Sequence, residues 1–252
     1  MNSRVSKALR LDEALVARGL YTSRSRARDA ILRGTIFVDG HVIAKPGHLV
    51  GADAAFSIAD PARRYVSRAA LKLLAGLEHF GFSPAGLTAL DVGASTGGFM
   101  QVLLEWGAEH VVGVDVGHGQ LHLRIAADAR VTNLEGLNAR DLSREHLGGR
   151  KIGVVTSDVS FISLKLALPP ALELAEAGAF CVLLVKPQFE AGREAIGKGG
   201  LLKDQTLGPR IAEDLRGWLD GQQGWRAIGV CDSPLDGADG NHEFLLGGIK
   251  DQ

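Results

Sequence analysis

Seven short apolar runs, separated by stretches with helical periodicity, constrain the fold of this chain more than anything else in it. They are "LTALDV", "HVVGVDV", "RVTNLEG", "IGVVTSDV", "AFCVLLVK", "WRAIGVCD" and "HEFLLGGI", all from Leu87 onward. The fifth run is continuously apolar from Cys181 to Val185, as in a strand covered on both faces. Strands alternating with helices predict a doubly wound, mostly parallel α/β sheet of seven strands, Rossmann-like in plan. In such a sheet the carboxyl ends of the strands form the ligand crevice. Here those ends carry charge: Asp91, Asp115, Asp158 and Lys186.

The first 60 residues follow another pattern. "LDEALVARGL" reads as a short amphipathic helix with Leu11, Ala14, Leu15 and Ala17 inward and Gly19 as its stop. "TSRSRARDAILRGT" repeats this, with Ser23 as N-cap, Ala27, Ala30 and Ile31 inward and Gly34 at the end. "TIFVDGHVIA" is a hairpin around Asp39-Gly40, and "AAFSI" adds a strand. Residues 1–50 hold nine Lys/Arg against four Asp/Glu, whereas the whole chain has a net charge of −1. A basic module joined to a mildly acidic remainder points to a polyanionic partner for the first part. A charge run is also what a solvated helix face looks like. The polar stretch "ADPARRYVS" marks the boundary, giving a module over 1–60, a linker over 61–66 and a larger domain over 67–252.

"LDVGASTGGFMQVLLEWG" is strand, glycine turn and helix in the order that a cofactor-binding unit requires. Gly93, Gly97 and Gly98 allow backbone to approach a ligand, and Asp115, ending the next strand, is placed for ribose hydroxyls. NAD and S-adenosylmethionine both satisfy that pattern. Asp91, immediately before the turn, favours S-adenosylmethionine: a carboxylate suits an amino group and a sulfonium and opposes a pyrophosphate. Asp141 in "LNARD" is placed for the adenine amino group, although Asp is also a common cap or turn residue.

Lys186 and Asp158, ending the fifth and fourth runs, point into one crevice. A strand-end lysine can instead snorkel to water, and an Asp can cap the following helix. Pro187, fixing chain direction directly after the lysine, argues against that simpler reading. "YVSRAALKLLAGLEHF" predicts a helix from about Ser67 with Leu71, Leu74 and Leu77 inward and Arg68 and Lys72 on another face. Glu243 stands just before the last apolar run.

Helix, helix, hairpin and strand, carried by "RLDEAL", "SRSRARDAI", "VDG" and "KPG", resemble the S-four-like RNA-binding domain. Lys72, Asp158, Lys186 and Glu243, in that order, resemble the K-D-K-E tetrad of FtsJ-like ribose 2′-O-methyltransferases. With "RRYVSRAALKL", "LDVGASTGGF", "VGVDVGHGQL", "SDVSFISL" and "LLVKPQFE", the whole chain resembles the TlyA family, RNA methyltransferases also labelled haemolysins. The resemblance implies S-adenosylmethionine-dependent 2′-O-methylation of ribosomal RNA, with cytidine expected. It assigns catalysis to the tetrad and the cofactor to Asp91, Gly93, Ala94, Ser95, Gly97, Gly98, Phe99, Asp115, Asp141 and Asp158. RNA contacts fall to Arg10, Arg18, Arg24, Arg26, Arg28, Arg33 and Lys45 in the module, and to Arg68 and Lys198 beyond it.

A 2′-hydroxyl is a weak nucleophile, so its proton must be drawn off as the new bond forms. Burial beside a second cation favours a neutral, proton-accepting amine, which makes Lys186 the expected central catalyst with Lys72 assisting. "FEAGREAIGKGGLLKDQ" is expected to be a loop that orders over RNA through Lys198 and Lys203, or else a solvated loop. Aromatic residues are few and no stacking platform is evident. No metal site, membrane contact or DNA partner is expected. No apolar run reaches the ~20 residues of a membrane span, and "MNSRVSKALRLDEAL" lacks a signal core, so a cytoplasmic protein is expected. Cys181 and Cys231 read as reduced core thiols. Base methylation lacks an N-P-P-Y-like motif, and Cys181 begins its strand at the end opposite the crevice, which removes a cytosine carbon-five mechanism. Three other readings stand beside this one: an NAD-dependent oxidoreductase, a membrane-lytic protein and a non-catalytic ribosome-binding factor.

Overall fold

A computed structural model describes residues 8–252, so the first seven residues of the amino-terminal reading lie outside it. The chain divides into two compact units between Arg64 and Tyr65. The smaller carries α1 (Leu11–Ala17) and α2 (Arg24–Leu32). Its strands β2 (Ile36–Val38), β3 (His41–Val42) and β5 (Phe56–Ile58) pair antiparallel in the order β3-β2-β5. A second pair, β1 (Leu9–Arg10) with β4 (Leu49–Val50), is also antiparallel. The hairpin turn has φ of 49° at Asp39 and 82° at Gly40, the conformation of a type I′ turn, which Asp-Gly adopts at low cost. Ser23 caps α2 by accepting from the Arg26 N–H, and Ala27, Ala30 and Ile31 are buried as the periodicity requires. In α1, however, Ala17 is exposed and Asp12 is fully buried. Asp12 is tolerated there because Arg10 and Arg24 both hydrogen-bond its carboxylate.

The larger unit is one seven-stranded sheet in the order β11-β12-β10-β9-β6-β7-β8. Its strands are β6 (Thr88–Val92), β7 (His110–Asp115), β8 (Val131–Glu135), β9 (Ile152–Ser157), β10 (Ala175–Val185), β11 (Trp225–Asp232) and β12 (Phe244–Lys250). All seven apolar runs are strands. The block β10-β9-β6-β7-β8 is parallel, while β12 lies antiparallel between β10 and β11. The apolar run of β10 serves two cores. Cys181, Leu183 and Val185 join one cluster, Phe180, Val182 and Leu184 the other. One cluster takes α6 (Leu164–Ala167), α7 (Pro169–Leu174) and α9 (Leu207–Asp220) through Leu164, Leu172 and Leu215. The other takes α3 (Ala70–Phe80), α4 (Gly98–Glu105) and α5 (Leu123–Ala126) through Leu77, Phe99 and Ile125. The remaining helix, α8 (Pro187–Glu190), follows β10 at the crevice.

Helix α3 departs from its sequence reading. It begins at Ala70 rather than Ser67, and its buried face is Ala70, Lys72, Leu73, Gly76 and Leu77, with Leu71 and Leu74 only partly buried. Gly76 explains the rotation. A Cβ there would stand 2.6 Å from Val182 Cγ1, so the helix lies close on the sheet only with the bare glycine face down. That face carries Lys72 with it.

Among the described residues no helix is long and apolar enough to cross a membrane. Cys181 is fully buried and burial pushes its thiol pKa up, the behaviour of an inert core residue.

Candidate active site

The carboxyl edge of the parallel block collects the candidate side chains because of register. Val92 and Leu183 both pair with Ser157, Val114 pairs with Val92, and Val185 pairs with Phe244. The residues just past or before those positions, Gly93, Asp158, Lys186 and Glu243, therefore share one rim. Glu243 reaches it because β12 runs antiparallel: its first residue lies where its neighbour ends.

Two cavities open on this edge. The larger, about 630 Å³, is lined by Lys72, Asp158, Lys186 and Glu243 together with Arg68, Ser160 and Gln188, among others. The structure brings the four tetrad residues together in two ion pairs. Lys72 Nζ pairs with Glu243 Oε2, and Lys186 Nζ stands 2.6 Å from Asp158 Oδ1. Lys72 is 5% exposed, Lys186 8% and Glu243 2%. Burial pushes the Glu243 pKa above the usual carboxylate range, although the charges of Lys72 and Lys186 oppose that rise. Lys186 also donates to Ser160 Oγ at 2.8 Å.

The second cavity, about 420 Å³, is lined by Gly93, Ser95, Asp115, Asn138 and Ala139, and shares Asp158, Ser160 and Phe161 with the first. Asp115 organises its floor, accepting from the Ser95 N–H at 2.8 Å and the Gly117 N–H at 2.7 Å through different oxygens. Ala94, Gly98 and Phe99 border a small adjoining recess with Gly93. Asp91 lies beneath, 1% exposed. Thr156 Oγ1 donates to its Oδ1 at 2.7 Å, while its Oδ2 is buried without a partner. Burial pushes the Asp91 pKa up to about 7; the Thr156 bond offsets part of this, and Asp158 and Asp115 add to it. An orphaned buried carboxylate oxygen below a glycine turn fits a ligand that brings an amino group or a sulfonium, and opposes a pyrophosphate. The residues present therefore fit S-adenosylmethionine.

One expectation, that for Asp141, needs correction, and two others need an addition. Besides bordering the cavities through Gly93 and Gly98, the glycines serve packing of the protein on itself. A Cβ on Gly93 would be 2.9 Å from the Asp158 carbonyl oxygen, on Gly97 2.7 Å from Leu121 and on Gly98 2.9 Å from Ser67. Asp141 is exposed and does not line the cavity. The short 3₁₀ turn Ala139–Asp141 carries it outward and leaves Asn138 and Ala139 at the wall. Last, although aromatic residues are few, Phe161 is 91% exposed among the residues lining both cavities, its ring centroid 5.2 Å from that of Phe189. Phe161 has φ of 66°, an unusual conformation for a bulky residue, so the local fold holds an apolar ring in solvent.

The basic residues sort by what already holds them. Arg33 pairs with Asp29 and Asp60, its side chain 14% exposed. Arg18 donates to the carbonyls of Ala54 and Ala52 and covers the Phe56 ring. Both are committed to building the small unit. Arg10 and Arg24 neutralise Asp12, yet Arg24 keeps its side chain 52% exposed. Arg26 bonds weakly to the Ala62 and Arg63 carbonyls, and Arg68, on the cleft wall, to the Asp236 carbonyl. Arg28, Lys45 and Lys198 are exposed. Lys203 donates to the Glu194 carbonyl. The glycine-rich segment after β10 closes on itself: Ile196 bridges Leu202, and buried Asn241 bonds both the Leu202 N–H and the Gly200 carbonyl.

An antiparallel strand inserted next to the edge of a parallel sheet, a glycine turn over a buried acid and a second acid ending the next strand define an α/β methyltransferase domain. The model of the FtsJ-like methyltransferase family matches residues 65–250, and that of the S4 domain matches residues 9–55. The chain is 44% identical to the 16S/23S rRNA (cytidine-2′-O)-methyltransferase TlyA of Mycobacterium tuberculosis over 96% of this chain and 90% of the relative. It is 38% identical to hemolysin A of Brachyspira hyodysenteriae over 94% of this chain and 98% of that one. A solved structure from Streptococcus thermophilus that carries a hemolysin label aligns with a TM-score of 0.75 and 34% identity, over 97% of this chain and 89% of that one. The chain belongs to the TlyA family of FtsJ-like methyltransferases, with an S-four-like domain at its amino end.

Proposed function

We propose that the protein methylates the ribose 2′-hydroxyl of cytidine in ribosomal RNA, with S-adenosylmethionine as donor, and that it meets this substrate in the cytoplasm. The observation that carries the reading is the convergence of Lys72, Asp158, Lys186 and Glu243 on one cleft that shares Asp158, Ser160 and Phe161 with the cavity beside the glycine turn. When bound, S-adenosylmethionine supplies a methyl group on a positively charged sulfur. Asp115 would hold it through its ribose hydroxyls, with the Gly93–Phe99 turn as its cradle, and Asp91, buried beneath that turn, would favour its positive charge through the field of its carboxylate.

The protein's own work is to place the hydroxyl and handle its proton. Lys186 is 8% exposed on the wall of the cleft, with Asp158 Oδ1 2.6 Å from its Nζ. It takes the proton as the oxygen becomes nucleophilic and leaves a positive charge beside the developing negative one. Lys72, held by Glu243, adds a second fixed cation to the lining of the same cleft. Holding oxygen, methyl and sulfur in line supplies much of the remaining acceleration. Exposed cations of the small unit, Arg28 and Lys45 with Arg24, would meet RNA phosphates and position the substrate without reading its sequence. The haemolysin label finds no support in a helix able to span a membrane among the described residues.

The experiment is incubation with methyl-labelled S-adenosylmethionine and ribosomal subunits lacking the modification, followed by digestion to nucleosides. Label in 2′-O-methylcytidine is expected. Label on a base, or none with intact subunits, overturns the reading. Equilibrium binding of S-adenosylmethionine and of NAD separates it from a dehydrogenase.

A further inference from the structure

We propose that the Ser160 hydroxyl is a catalytic proton relay between the substrate hydroxyl and Lys186, a role that rests on the methyl-transfer reading above. Lys186 is 8% exposed, whereas Ser160, to which it donates at 2.8 Å, is exposed and lines both the tetrad cleft and the cofactor cavity. The buried amine thus meets the junction of the two cavities, where hydroxyl and methyl must come together, through the hydroxyl of an exposed residue. Asp158 Oδ1, on the same loop as Ser160, stands 2.6 Å from Nζ as a charge partner, while the hydrogen bond of the amine goes to Ser160. No described protein acceptor takes the hydroxyl hydrogen of Ser160, so it is available to a ligand or to Nζ.

One contact serves both protonation states. With a charged lysine, Nζ donates to Oγ; with a neutral one, Oγ–H donates to the Nζ lone pair. In the reaction the substrate 2′-hydroxyl gives its proton to Oγ as the Oγ proton passes to Nζ. The 2′-oxygen forms its bond to the methyl carbon, and the carbon–sulfur bond breaks with its electrons remaining on sulfur. The products are a methyl ether, a neutral thioether and a Lys186 ammonium stabilised by Asp158. Charge is conserved and no further reactant is needed. The loop that bears Ser160 is itself braced, because Glu190 accepts from Ser163 Oγ at 2.5 Å and from the Leu164 N–H at 2.7 Å, tying it to the helix that follows Lys186.

The test compares Ser160→Ala with Ser160→Thr, which keeps the hydroxyl, in the full-length protein. Turnover of Ser160→Ala is expected to fall about 100-fold, with S-adenosylmethionine affinity by calorimetry within about twofold of the parent, and Ser160→Thr to recover most of it. A second readout needs no cofactor: acetic anhydride labelling of Lys186, followed by mass spectrometry, is expected to accelerate in Ser160→Ala because the amine loses its partner. Ser160→Ala turning over within about twofold of the parent, or unchanged Lys186 labelling, overturns the relay. A parent protein that labels no ribose overturns the methyl-transfer reading instead, so the two failures are distinct.

Discussion

Replacing Asp91 by asparagine tests the most unusual electrostatic feature of the site. Asp91 is fully surrounded by protein, with one oxygen held by Thr156 and the other unpaired, and its pKa rises from 3.8 to about 7. The sign follows from linkage. The folded state holds this proton more tightly than the unfolded chain, so the associated stability is complete below pH 3.8 and is lost as pH rises to about 7. At about 1.4 kcal/mol per pH unit, the ionised carboxylate costs the cofactor-free protein roughly 4 kcal/mol above pH 7. The amide of the Asp91→Asn variant has nothing to titrate. It leaves an unpaired N–H in place of Oδ2, a penalty of about 1–3 kcal/mol that does not change with pH. The difference in stability between variant and parent should therefore climb in favour of the variant between pH 4 and pH 7 and level off beyond. The assay is urea unfolding followed by tryptophan fluorescence, since Trp106, Trp218 and Trp225 all lie in the larger unit. If a positively charged cofactor binds above this carboxylate as proposed, it favours ionisation, so S-adenosylmethionine affinity of the parent should rise through pH 7 and that of the variant should be weak and flat. Parallel stability curves, or full affinity in the variant, would refute the assignment.

Lys72→Met leaves Glu243 buried without its cation, and unfolding free energy at pH 8 should drop by about 3–5 kcal/mol. Because burial already raises the Glu243 pKa, protonation should recover part of the loss at pH 5, and the double variant Lys72→Met/Glu243→Gln should recover most of it while transferring no methyl groups. Arg28→Ala should leave the melting temperature unchanged yet weaken RNA binding and lower the salt slope by about 1, because Arg28 is exposed. Arg33→Ala should instead destabilise the small unit, since it strips the charge partner from Asp60, a carboxylate that also accepts from Tyr21; circular dichroism melts of the two variants distinguish these roles. Gly93→Ala places a methyl at φ of 85° and 2.9 Å from the Asp158 carbonyl oxygen, and calorimetry should show at least a tenfold loss of cofactor affinity.

The sheet was legible because β10 cannot be anything but covered on both faces, and because strand ends announce themselves when an apolar run stops at a charge. That four charged residues would meet in one cleft was legible for the same reason in Lys186 and Asp158, and through a resemblance in their order along the chain in Lys72 and Glu243. The buried face of α3 was not. Leucine spacing alone favours Leu71 and Leu74, and only the approach of Gly76 to Val182 turns the helix to bury Lys72. Long-range pairing hid more: Arg33 looks like an RNA contact until Asp60, distant in sequence, is seen against it, and Arg18 until its carbonyl partners are. Ser160 and Phe161 carry no signal in composition, since a serine and a phenylalanine after a strand are ordinary. The loop backbone that turns the ring outward gives them their place. Asp141 misled because an acid near a strand end was given a direction that a single 3₁₀ turn reverses.

Attack by a ribose oxygen under the control of Lys186 is the central claim. Alkaline hydrolysis of the labelled RNA addresses it directly, because a methylated 2′-oxygen can no longer cleave its own phosphodiester. Radioactivity is predicted in an alkali-stable dinucleotide whose first residue is cytidine, absent with Lys186→Ala although that variant still binds S-adenosylmethionine. Radioactivity released with free mononucleotides, or the same dinucleotide formed at the parent rate by Lys186→Ala, would contradict it.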